Sequence, residues 1–483
     1  MRRTKIVCTL GPASSGEERI EQLMRAGMNV ARLNFSHGTQ EEHAGVIQRI
    51  RAISSRLGCS IAILQDLQGP KIRTGQLQGG QPVKLIDGAE VTITTRPVTG
   101  DAQTIATTYE PLPRDVKAGD RILLDDGLLE LHVIDFAETE VRCTVVHGGL
   151  LKEHKGINLP GVAISAPALT EKDRDDLRFG VKHGVDYVAL SFVRKPEDVL
   201  EAKDLIRQFQ AEQEAGKRMQ MQMPIPLIAK LEKSEAVARL DEILAVVDGV
   251  MVARGDLGVE MAPEKVPLIQ KRIISKCNEQ GLPVITATQM LESMIINPRP
   301  TRAEASDVAN AILDGTDAIM LSGETAVGAY PIEAVQMMVR IALETEGSGR
   351  TALQPQCKRL SQSHAVSHAA RALSEEASVQ SIVVFTRSGA SAHLISKDRP
   401  RTPILAYTPS ERVYHQLALW WGIWPHHLEM RGTTEELIAV VEQRLLDDKL
   451  VQRGEHVVIM GGLPVASQAR TNFVKLHRVG VSR

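Results

Sequence analysis

The sequence is poor in aromatic residues and nearly neutral, and it has no long apolar run. Each of these absences excludes a class of protein. Aromatic residues make up 3% of the 483 residues, so we expect no base-stacking platform for nucleic acid. Lys and Arg total 57 against 59 Asp and Glu, so no overall basic field holds phosphate backbones. No apolar run approaches the roughly 18 residues of a membrane span. We therefore expect no nucleic-acid partner and no membrane partner.

The sequence is also sparse in cysteine, and no two cysteines have the spacing of a metal or redox motif. The five are Cys8, Cys59, Cys143, Cys277 and Cys357. The N-terminal segment carries two arginines, but the apolar run after them is too short for a signal peptide. We expect reduced thiols and a cytoplasmic protein.

Two glycine-rich motifs that hold nucleotides are missing as well. The chain contains neither G-x-x-x-x-G-K-[ST] nor G-x-G-x-x-G. A nucleotide would therefore have to be held by cationic side chains and by an inserted domain.

Short apolar runs alternate with helical segments in two parts of the chain, which predicts parallel βα units. The predicted strands are Lys5–Leu10, Val30–Phe35, Ile61–Asp66, Tyr187–Phe192, Leu227–Leu231, Gly249–Ala253, Pro283–Thr288 and Ala318–Leu321. Capped helices lie between them, for instance the one that Thr301 and Glu304 open. Eight units in about 250 residues match a (β/α)8 TIM barrel, here predicted for 1–70 and 166–343. The alternation alone leaves a doubly wound open sheet as the alternative.

Two further regions depart from this rhythm. Residues 71–165 have no long helical stretch and alternate like antiparallel strands, which predicts an inserted all-β domain, a β-barrel lid. A segment rich in Gly, Ser, Gln and Pro over 344–360 resembles a linker. Four strand-like runs follow it, so we predict a separate C-terminal α/β domain over 344–483.

Polar residues follow most of the predicted barrel strands, where the active site of such a barrel lies. They are Arg32, Asn34, Ser36 and His37, then Asp66, Lys71 and Arg73, then Arg194, Lys195, Lys230, Glu232, Arg254, Asp256, Thr286, Thr288, Gln289, Ser322 and Glu324. Any single one could be a surface charge. Seven polar strand ends on one face of the barrel favour a site.

The residue types point to phosphoryl transfer, which needs positioned cations and a metal around the phosphoryl oxygens. Glu232 and Asp256 are hard oxygen donors suited to Mg²⁺. Lys230 and Glu232 are two residues apart on a strand and point to the same side. A structural ion pair between them is the alternative interpretation.

Several motifs resemble the pyruvate kinase family, in the same order along the chain. They are Ala31–Gly38, Leu227–Glu232, Met251–Glu260, Thr286–Met294 and Leu321–Ala326. The resemblance extends from about residue 3 to the end of the chain. It implies the last step of glycolysis, in which phosphoenolpyruvate and ADP give pyruvate and ATP.

The resemblance also implies roles for individual residues. Positions that match catalytic and substrate-binding residues are Arg32, Arg73, Lys230, Gly255, Asp256 and Thr288. Lys230 would stabilise the transferring phosphoryl group, and Glu232 with Asp256 would bind Mg²⁺, with Mn²⁺ as a substitute. Gly255 and Thr288 would hold the substrate carboxylate. Positions that match nucleotide contacts are Asn34, Phe35, Ser36, His37, Arg73, Lys155 and Lys195. The inserted domain would close as a lid.

One departure from the family concerns its monovalent cation. Most familiar members bind K⁺ near positions that match Asn34, Ser36, Asp66 and Leu67. These members continue Thr-Lys-Gly-Pro-Glu, whereas this chain continues Leu-Gln-Gly-Pro-Lys and so carries Lys71. We hypothesise that the Lys71 ammonium replaces K⁺, although Thr74 keeps the K⁺-dependent residue type. The alternative is a solvated Lys71 with K⁺ still bound.

A second phosphate site is predicted in the C-terminal domain, where a strand leads through a loop into a helix. The loop residues are Thr386, Arg387, Ser388, Gly389, Ala390 and Ser391. In the family this loop binds a sugar-phosphate effector. Members activated by a sugar bisphosphate carry a basic residue where this chain has Ala390, so we expect a sugar monophosphate or AMP. An ordinary helix cap is the alternative. The resemblance also implies a homotetramer.

Two other functions remain open at this point. A metal-dependent aldolase or lyase acting on a pyruvate enolate would share the barrel and the carboxylates but would not need ADP or a lid. A catalytically silent sugar-phosphate sensor would not need Lys230, Glu232, Asp256 and Thr288.

Overall fold

Eight parallel strands form a closed barrel in a computed structural model that describes residues 1–214, 223–349, 361–463 and 469–480. The strands are Lys5–Leu10, Val30–Asn34, Ala62–Asp66, Tyr187–Leu190, Leu227–Leu231, Gly249–Ala253, Val284–Ala287 and Ala318–Leu321. The first strand pairs with both the second and the eighth. The predicted barrel is therefore confirmed and the open sheet is excluded. The barrel mouth is the end at which the strands' carboxyl termini lie.

Helices surround the barrel, and several begin with the capping residues that their sequences contain. They are Glu17–Ala26, Gln40–Leu57, Glu171–His183, Pro196–Glu214, Ser234–Ala238, Leu240–Leu244, Arg254–Glu260, Val266–Gln280, Arg302–Leu313, Gly323–Ala326 and Pro331–Gly347. Thr301 accepts from the backbone N–H of Glu304, whose carboxylate bonds back to Thr301, as predicted. An aliphatic core fills the space between strands and helices.

The insert between barrel strands three and four is all-β apart from one short helix, Leu112–Asp115, and a turn of 3₁₀ helix, Gln78–Gly80. Its strands are Val83–Leu85, Glu90–Thr94, Thr104–Ala106, Arg121–Leu124, Leu129–Phe136, Glu140–His147, Gly149–Leu151 and Ile157–Asn158. They pair as one six-stranded and one two-stranded sheet. The predicted all-β character of the insert is confirmed. Its own aliphatic core includes Ile93, Ile122 and Leu131.

The C-terminal unit is a five-stranded sheet with helices, which confirms the predicted α/β class of this domain. Its strands are Ser381–Phe385, Ile404–Thr408, Ile423–His427, His456–Gly461 and Phe473–Arg478, and its helices are Gln362–Glu376, Ala390–Lys397, Glu411–Gln416 and Thr434–Asp447. Ile423–His427 is an edge strand that we did not predict. Barrel helix Pro331–Gly347 runs past the predicted boundary at 343. Most of the predicted linker, with Cys357, lies outside the described residues.

The C-terminal unit packs against the end of the barrel opposite the mouth. The Tyr187 hydroxyl donates to the carbonyl of Gln416 at 2.8 Å, and the Lys5 ammonium donates to that of Ile423 at 2.5 Å. Lys397 and Arg399 both pair with Asp317, which directly precedes barrel strand eight, at 2.6 and 3.0 Å. Among the helices described, none is long and apolar enough to cross a membrane.

Candidate active site

The ammonium of Lys230 is at the centre of a buried charge cluster in the barrel mouth. It lies 2.8 Å from Glu232 Oε1 and 3.4 Å from Asp66 Oδ1, and it donates to Ser191 Oγ at 2.8 Å. Burial alone would lower the pKa of Lys230, but the two carboxylates outweigh burial and raise it above its ordinary value. Lys230 therefore keeps its positive charge at every physiological pH.

Asp66 links barrel strands two and three to this cluster. Its Oδ2 accepts from Arg32 Nε at 2.6 Å, and the Arg32 guanidinium also donates to Thr9 Oγ1 at 2.9 Å. Burial would raise the pKa of Asp66, yet Lys230 and Arg32 overcome that effect and lower it. A fixed pair of cations thus surrounds one permanently charged carboxylate.

At Glu232 burial outweighs the neighbouring cation, so its pKa is shifted in the opposite direction to that of Asp66. Only 1% of the residue is exposed, and Oε2 accepts from the backbone N–H of Phe192 at 2.9 Å. Burial raises the pKa of Glu232; the Lys230 ammonium opposes this rise, and the Asp256 carboxylate adds to it. A divalent cation bound by Glu232 and Asp256 would offset the repulsion between these two carboxylates.

The donor set at the mouth fits Mg²⁺ better than zinc. Within the described residues, no group of three or more His, Cys, Asp and Glu could hold a metal ion. Mg²⁺ is commonly held by one or two carboxylates, with water and substrate oxygens completing the octahedron. Glu232 and Asp256 supply that number of carboxylates.

Thr288 occupies a strained position directly after barrel strand seven. Its φ is +69°, which is rare for a β-branched residue. The Thr288 hydroxyl accepts from the backbone N–H of Gly255 at 2.8 Å and donates to the Ala287 carbonyl at 2.6 Å. The hydroxyl and the Gly255 N–H are therefore adjacent. Strain of this kind is concentrated at functional sites.

Arg254 holds the strained turn in place, a role that the sequence did not reveal. Its guanidinium donates to the Thr288 carbonyl at 2.6 Å and pairs with Asp307 at 2.6 Å. Arg254 is also the first residue of the helix Arg254–Glu260, which carries Gly255 and Asp256. The turn after strand seven and the helix after strand six are thus fixed to each other.

Lys71 lies in a cleft of about 300 Å³ between the mouth and the insert. Other residues that line the cleft are Arg73, Asp125, Lys155, Asn158, Phe192, Lys233 and Asp256. Burial, and then the neighbouring Arg73 and Lys230, lower the pKa of Lys71 to about 8. Within the part of the chain that the structure describes, its ammonium makes no ion pair or hydrogen bond. Lys71 is therefore a cation without a fixed partner, facing the site.

Comparison with known proteins identifies the family to which this barrel and its mouth belong. The family model described as "Pyruvate kinase, barrel domain" matches residues 1–335, and "Pyruvate kinase, alpha/beta domain" matches 364–477. The chain belongs to the pyruvate kinase family. A Staphylococcus saprophyticus pyruvate kinase is 49% identical over 99% of this chain and 81% of the relative. A relative from Staphylococcus aureus strain MRSA252 has the same identity and coverage.

A solved structure agrees with the sequence relatives. The crystal structure of a Cryptosporidium parvum pyruvate kinase matches with a TM-score of 0.90 and 37% identity, over 99% of this chain and 96% of that one. The chain is thus an enzyme of the pyruvate kinase family, with the family's barrel and C-terminal α/β domains.

The positions matched to nucleotide contacts in this pyruvate kinase family member are not all equally accessible. Arg73 and Lys155 line the cleft, and Lys155 also pairs with Asp125 at 2.8 Å. The ring of Phe35 is buried and stacks on His43 with centroids 4.2 Å apart, so only its backbone is available to a nucleotide. Lys195 is exposed beside the helix that begins at Pro196 and does not line the cleft.

The remaining mouth residues belong to the loop after barrel strand two and to the proposed cation region. Asn34 Oδ1 accepts from the backbone N–H of Ser36 at 3.1 Å. The imidazole of His37 lies beside the cations of the mouth. Burial, and then the charges of Lys71, Arg73 and Arg32, lower its pKa. The Leu67 carbonyl accepts from Ser191 Oγ at 2.6 Å. Ser191 therefore contacts both Lys230 and the cation region.

The predicted effector loop opens onto a large cavity of about 1040 Å³. Residues of the loop that line it are Thr386, Arg387, Ser388, Ala390 and Ser391. Gly389 has φ +86° and precedes the helix Ala390–Lys397. The Arg387 guanidinium donates to the Met430 carbonyl at 3.2 Å, and the Ser391 hydroxyl bonds that of Thr471 at 2.7 Å. The helix ends at Lys397, which pairs with Asp317 below barrel strand eight.

Several residues with clear structural roles at the site were missed or left without a role in the sequence analysis. Ser191 and Thr9 orient Lys230 and Arg32, and Arg194 donates to the Ala166 carbonyl at 2.6 Å, where the chain returns from the insert. Ser191 follows a barrel strand as the other site residues do, so its position was the available signal. Thr9 lies inside a strand, where nothing distinguishes it from a core residue.

Proposed function

We propose that this enzyme transfers the phosphoryl group of phosphoenolpyruvate to ADP, giving pyruvate and ATP, with Mg²⁺ held by Glu232 and Asp256. The observation that carries the proposal is the largely buried Lys230 ammonium, which is held between two buried carboxylates at the barrel mouth. Such a cation is prepositioned for the charge that spreads over the phosphoryl oxygens in the transition state.

The proposed reaction breaks the bond between phosphorus and the enol oxygen and forms a bond from phosphorus to a terminal oxygen of ADP. Lys230 stabilises the transferring group, and Arg32 and Arg73 contact phosphates. The Gly255 N–H and the Thr288 hydroxyl hold the substrate carboxylate, and Thr288 is a candidate for the route that protonates the enolate. When bound, Mg²⁺ supplies positive charge for the substrate carboxylate and phosphate.

We propose that the insert, residues 71–165, acts as a lid over the mouth formed by 1–70 and 166–343. Arg73 and Lys155 come from the insert and face the cleft, so closure would bring them to the nucleotide. The backbone of Asn34 to His37 and the side chain of Lys195 would complete its binding. Closure would exclude water and so limit loss of the phosphoryl group to hydrolysis.

The Lys71 ammonium is proposed to replace K⁺, which makes the enzyme K⁺-independent. Its support is the absence of any fixed ion-pair partner among the described residues and its electrostatic attraction to Asp256 and Asp66 across the cleft. K⁺ in the alternative arrangement would bind near Asn34, Ser36, Asp66 and the Leu67 carbonyl. That carbonyl already accepts a hydrogen bond from Ser191.

We also propose an effector site in the C-terminal domain and an oligomeric state. The loop Thr386–Ser391 in the C-terminal domain, 344–483, would bind a sugar monophosphate or AMP as activator. Its support is the cavity that these residues line, with hydroxyls and a helix N-terminus facing one space. A cytoplasmic homotetramer is proposed on family resemblance.

Initial rates of pyruvate formation test the central proposal. The assay contains phosphoenolpyruvate, ADP and Mg²⁺ in a K⁺-free buffer, is repeated with added K⁺, and each condition is run with and without glucose 6-phosphate and AMP. Similar rates with and without K⁺ are expected. A rate only with K⁺ would reject the role of Lys71, and no rate under any condition would reject the kinase proposal.

A further inference from the structure

Lys233, Glu260 and Asn158 form a buried link at the edge of the active-site cleft. The Lys233 ammonium pairs with Glu260 Oε1, and the Asn158 side-chain amide donates to the same oxygen at 3.3 Å. Lys233 is 5% exposed and Glu260 is 7% exposed. These residues come from three separate parts of the chain: the end of barrel strand five, a helix after strand six and the last strand of the insert.

The link joins the two elements that carry the proposed metal ligands. Lys233 directly follows Glu232, and Glu260 is the last residue of the helix Arg254–Glu260, which carries Asp256. The Lys233 ammonium also lies 5.5 Å from the centre of the Phe192 ring, and the backbone N–H of Phe192 donates to Glu232. A shift of Lys233 would therefore be transmitted to both carboxylates.

Glu260 is an unfavourable residue at its position unless it has this partner. A carboxylate at the C-terminal end of a helix opposes the helix dipole. Burying an ion pair also costs desolvation energy, so an apolar pair of the same size would stabilise the fold at least as well. What the charged pair adds is a defined geometry, because a buried carboxylate must keep its cation.

The helix is thus held by buried charge at both ends. Arg254 at its first residue is fixed by the Thr288 carbonyl and by Asp307. Glu260 at its last residue is fixed by Lys233 and receives Asn158 from the insert. A side chain at Gly127 of the insert would come within 3.6 Å of Val259 Cγ1, so the insert also packs against the helix.

We propose that Lys233 is a positioning residue. Acting through Glu260, it sets the distance between Asp256 and Glu232, and Asn158 ties that setting to the position of the insert over the mouth. This inference rests on the proposed function for its consequence in catalysis, but metal binding to the two carboxylates tests it without turnover.

The test measures Mn²⁺ binding by electron paramagnetic resonance. Phosphoenolpyruvate is present and ADP is absent, so no turnover occurs. Glu260→Gln is expected to weaken Mn²⁺ binding about tenfold, the scale of lost support behind a metal ligand. Lys233→Arg keeps the charge and should restore most of the affinity that Lys233→Gln loses. Asn158→Ala should weaken Mn²⁺ binding by a smaller factor and raise the KM for ADP with little change in kcat.

Lys203→Gln is the matched control, because Lys203 pairs with Asp248 at 2.8 Å away from the mouth. Unchanged Mn²⁺ affinity in Glu260→Gln, or an equal loss in Lys203→Gln, would overturn the inference. If Glu260→Gln does not fold, the comparison of Lys233→Arg with Lys233→Gln decides. A wild-type chain that binds Mn²⁺ but forms no pyruvate would reject the proposed function, and the variants would still decide this inference.

Discussion

The barrel mouth and the effector loop are both proposed to bind phosphate, and they are built in different ways. At the mouth, charged side chains on strand ends contact one another within buried clusters, as Lys230 does with Asp66 and Glu232. At the loop, hydroxyls and a helix N-terminus surround an open cavity of about 1040 Å³. Barrel strands fix the first set of groups, whereas a single loop carries the second.

The difference follows from what each region would have to do. A catalytic site must meet charge that develops in the transition state, and only groups fixed in advance do so without reorganisation. An effector site must bind and release an intact ligand. Removing a charge from the Lys230 cluster should therefore affect turnover and stability together, while substitutions at the loop should affect regulation alone.

Lys230→Met should have the largest effect. Loss of the ammonium is expected to lower kcat by a factor on the order of 10² to 10³ or more, because the phosphoryl oxygens lose their prepositioned cation. It also leaves Asp66 and Glu232 buried near one another without that cation, which should cost about 3–5 kcal/mol of the free energy of unfolding. Steady-state kinetics and denaturant unfolding measure the two effects.

Lys230→Arg is the control for this comparison, since it keeps a charge between the carboxylates. It should recover most of the stability and little of the turnover, because a planar guanidinium differs in shape from an ammonium. Turnover retained in Lys230→Met would contradict the assigned role.

Thr288→Ala should have the next largest effect, confined to activity. Alanine at φ +69° keeps the backbone strain but removes the hydroxyl beside the Gly255 N–H. We expect kcat/KM to fall roughly a hundredfold, the low end for loss of a proton-transferring group. Thr288→Ser should restore most of it. Kinetics at several pH values measure both variants; an alanine variant with normal kcat/KM would exclude Thr288 from the mechanism.

The fold was largely predictable from the sequence because its strands are buried on both faces and so appear as short apolar runs. All eight predicted barrel strands agree with the observed ones to within two residues at either end. The strand Ile423–His427 was not predicted, because it contains Pro425 and two histidines and so does not resemble an apolar run. Such a strand is tolerated only at a sheet edge, where it lies.

The site was only partly predictable for a related reason. Charged residues at or just after the ends of barrel strands could be predicted to lie at the mouth, since the strand end places them there. The left-handed turn at Thr288 and its attachment to Arg254 depend on contacts between two strand ends far apart in sequence. Similarly, no local pattern indicates that Lys233 would meet Glu260.

The charge of Lys71 should have a smaller effect on the rate. Because pH changes this charge without replacing a residue, it tests the electrostatics of the mouth separately from its geometry. Burial and neighbouring cations lower the pKa of Lys71 to about 8, so its ammonium is charged below that pH and loses its proton above it. If the ammonium replaces K⁺, the K⁺-free rate should fall as the pH rises through about 8, and added K⁺ should restore it.

Lys71→Glu gives the matched test, because it restores the residue of the K⁺-dependent family pattern. This variant should need K⁺ at every pH, with a rate close to that of the parent enzyme once K⁺ is saturating. Rates measured from pH 6 to 9 in tetramethylammonium buffers, with and without K⁺, decide the question. A pH profile of the parent enzyme that K⁺ does not alter above pH 8 would reject the titration of Lys71.

Ala390→Arg should have the smallest effect on the enzyme without activator, and it tests the loop side of the comparison. Ala390 is exposed at the start of the helix Ala390–Lys397, so an arginine fits there without being buried. The half-activating concentration of a sugar bisphosphate should then fall at least about tenfold relative to that of a monophosphate, because one charge-assisted hydrogen bond contributes about 1.5–3 kcal/mol. The rate without activator should stay unchanged, since the loop lies far from the mouth and would act only when a ligand binds.

Activation curves for fructose 1,6-bisphosphate and glucose 6-phosphate measure the ratio of the two half-activating concentrations. A variant whose basal kcat falls would show that the loop, like the mouth, is a fixed part of the catalytic structure.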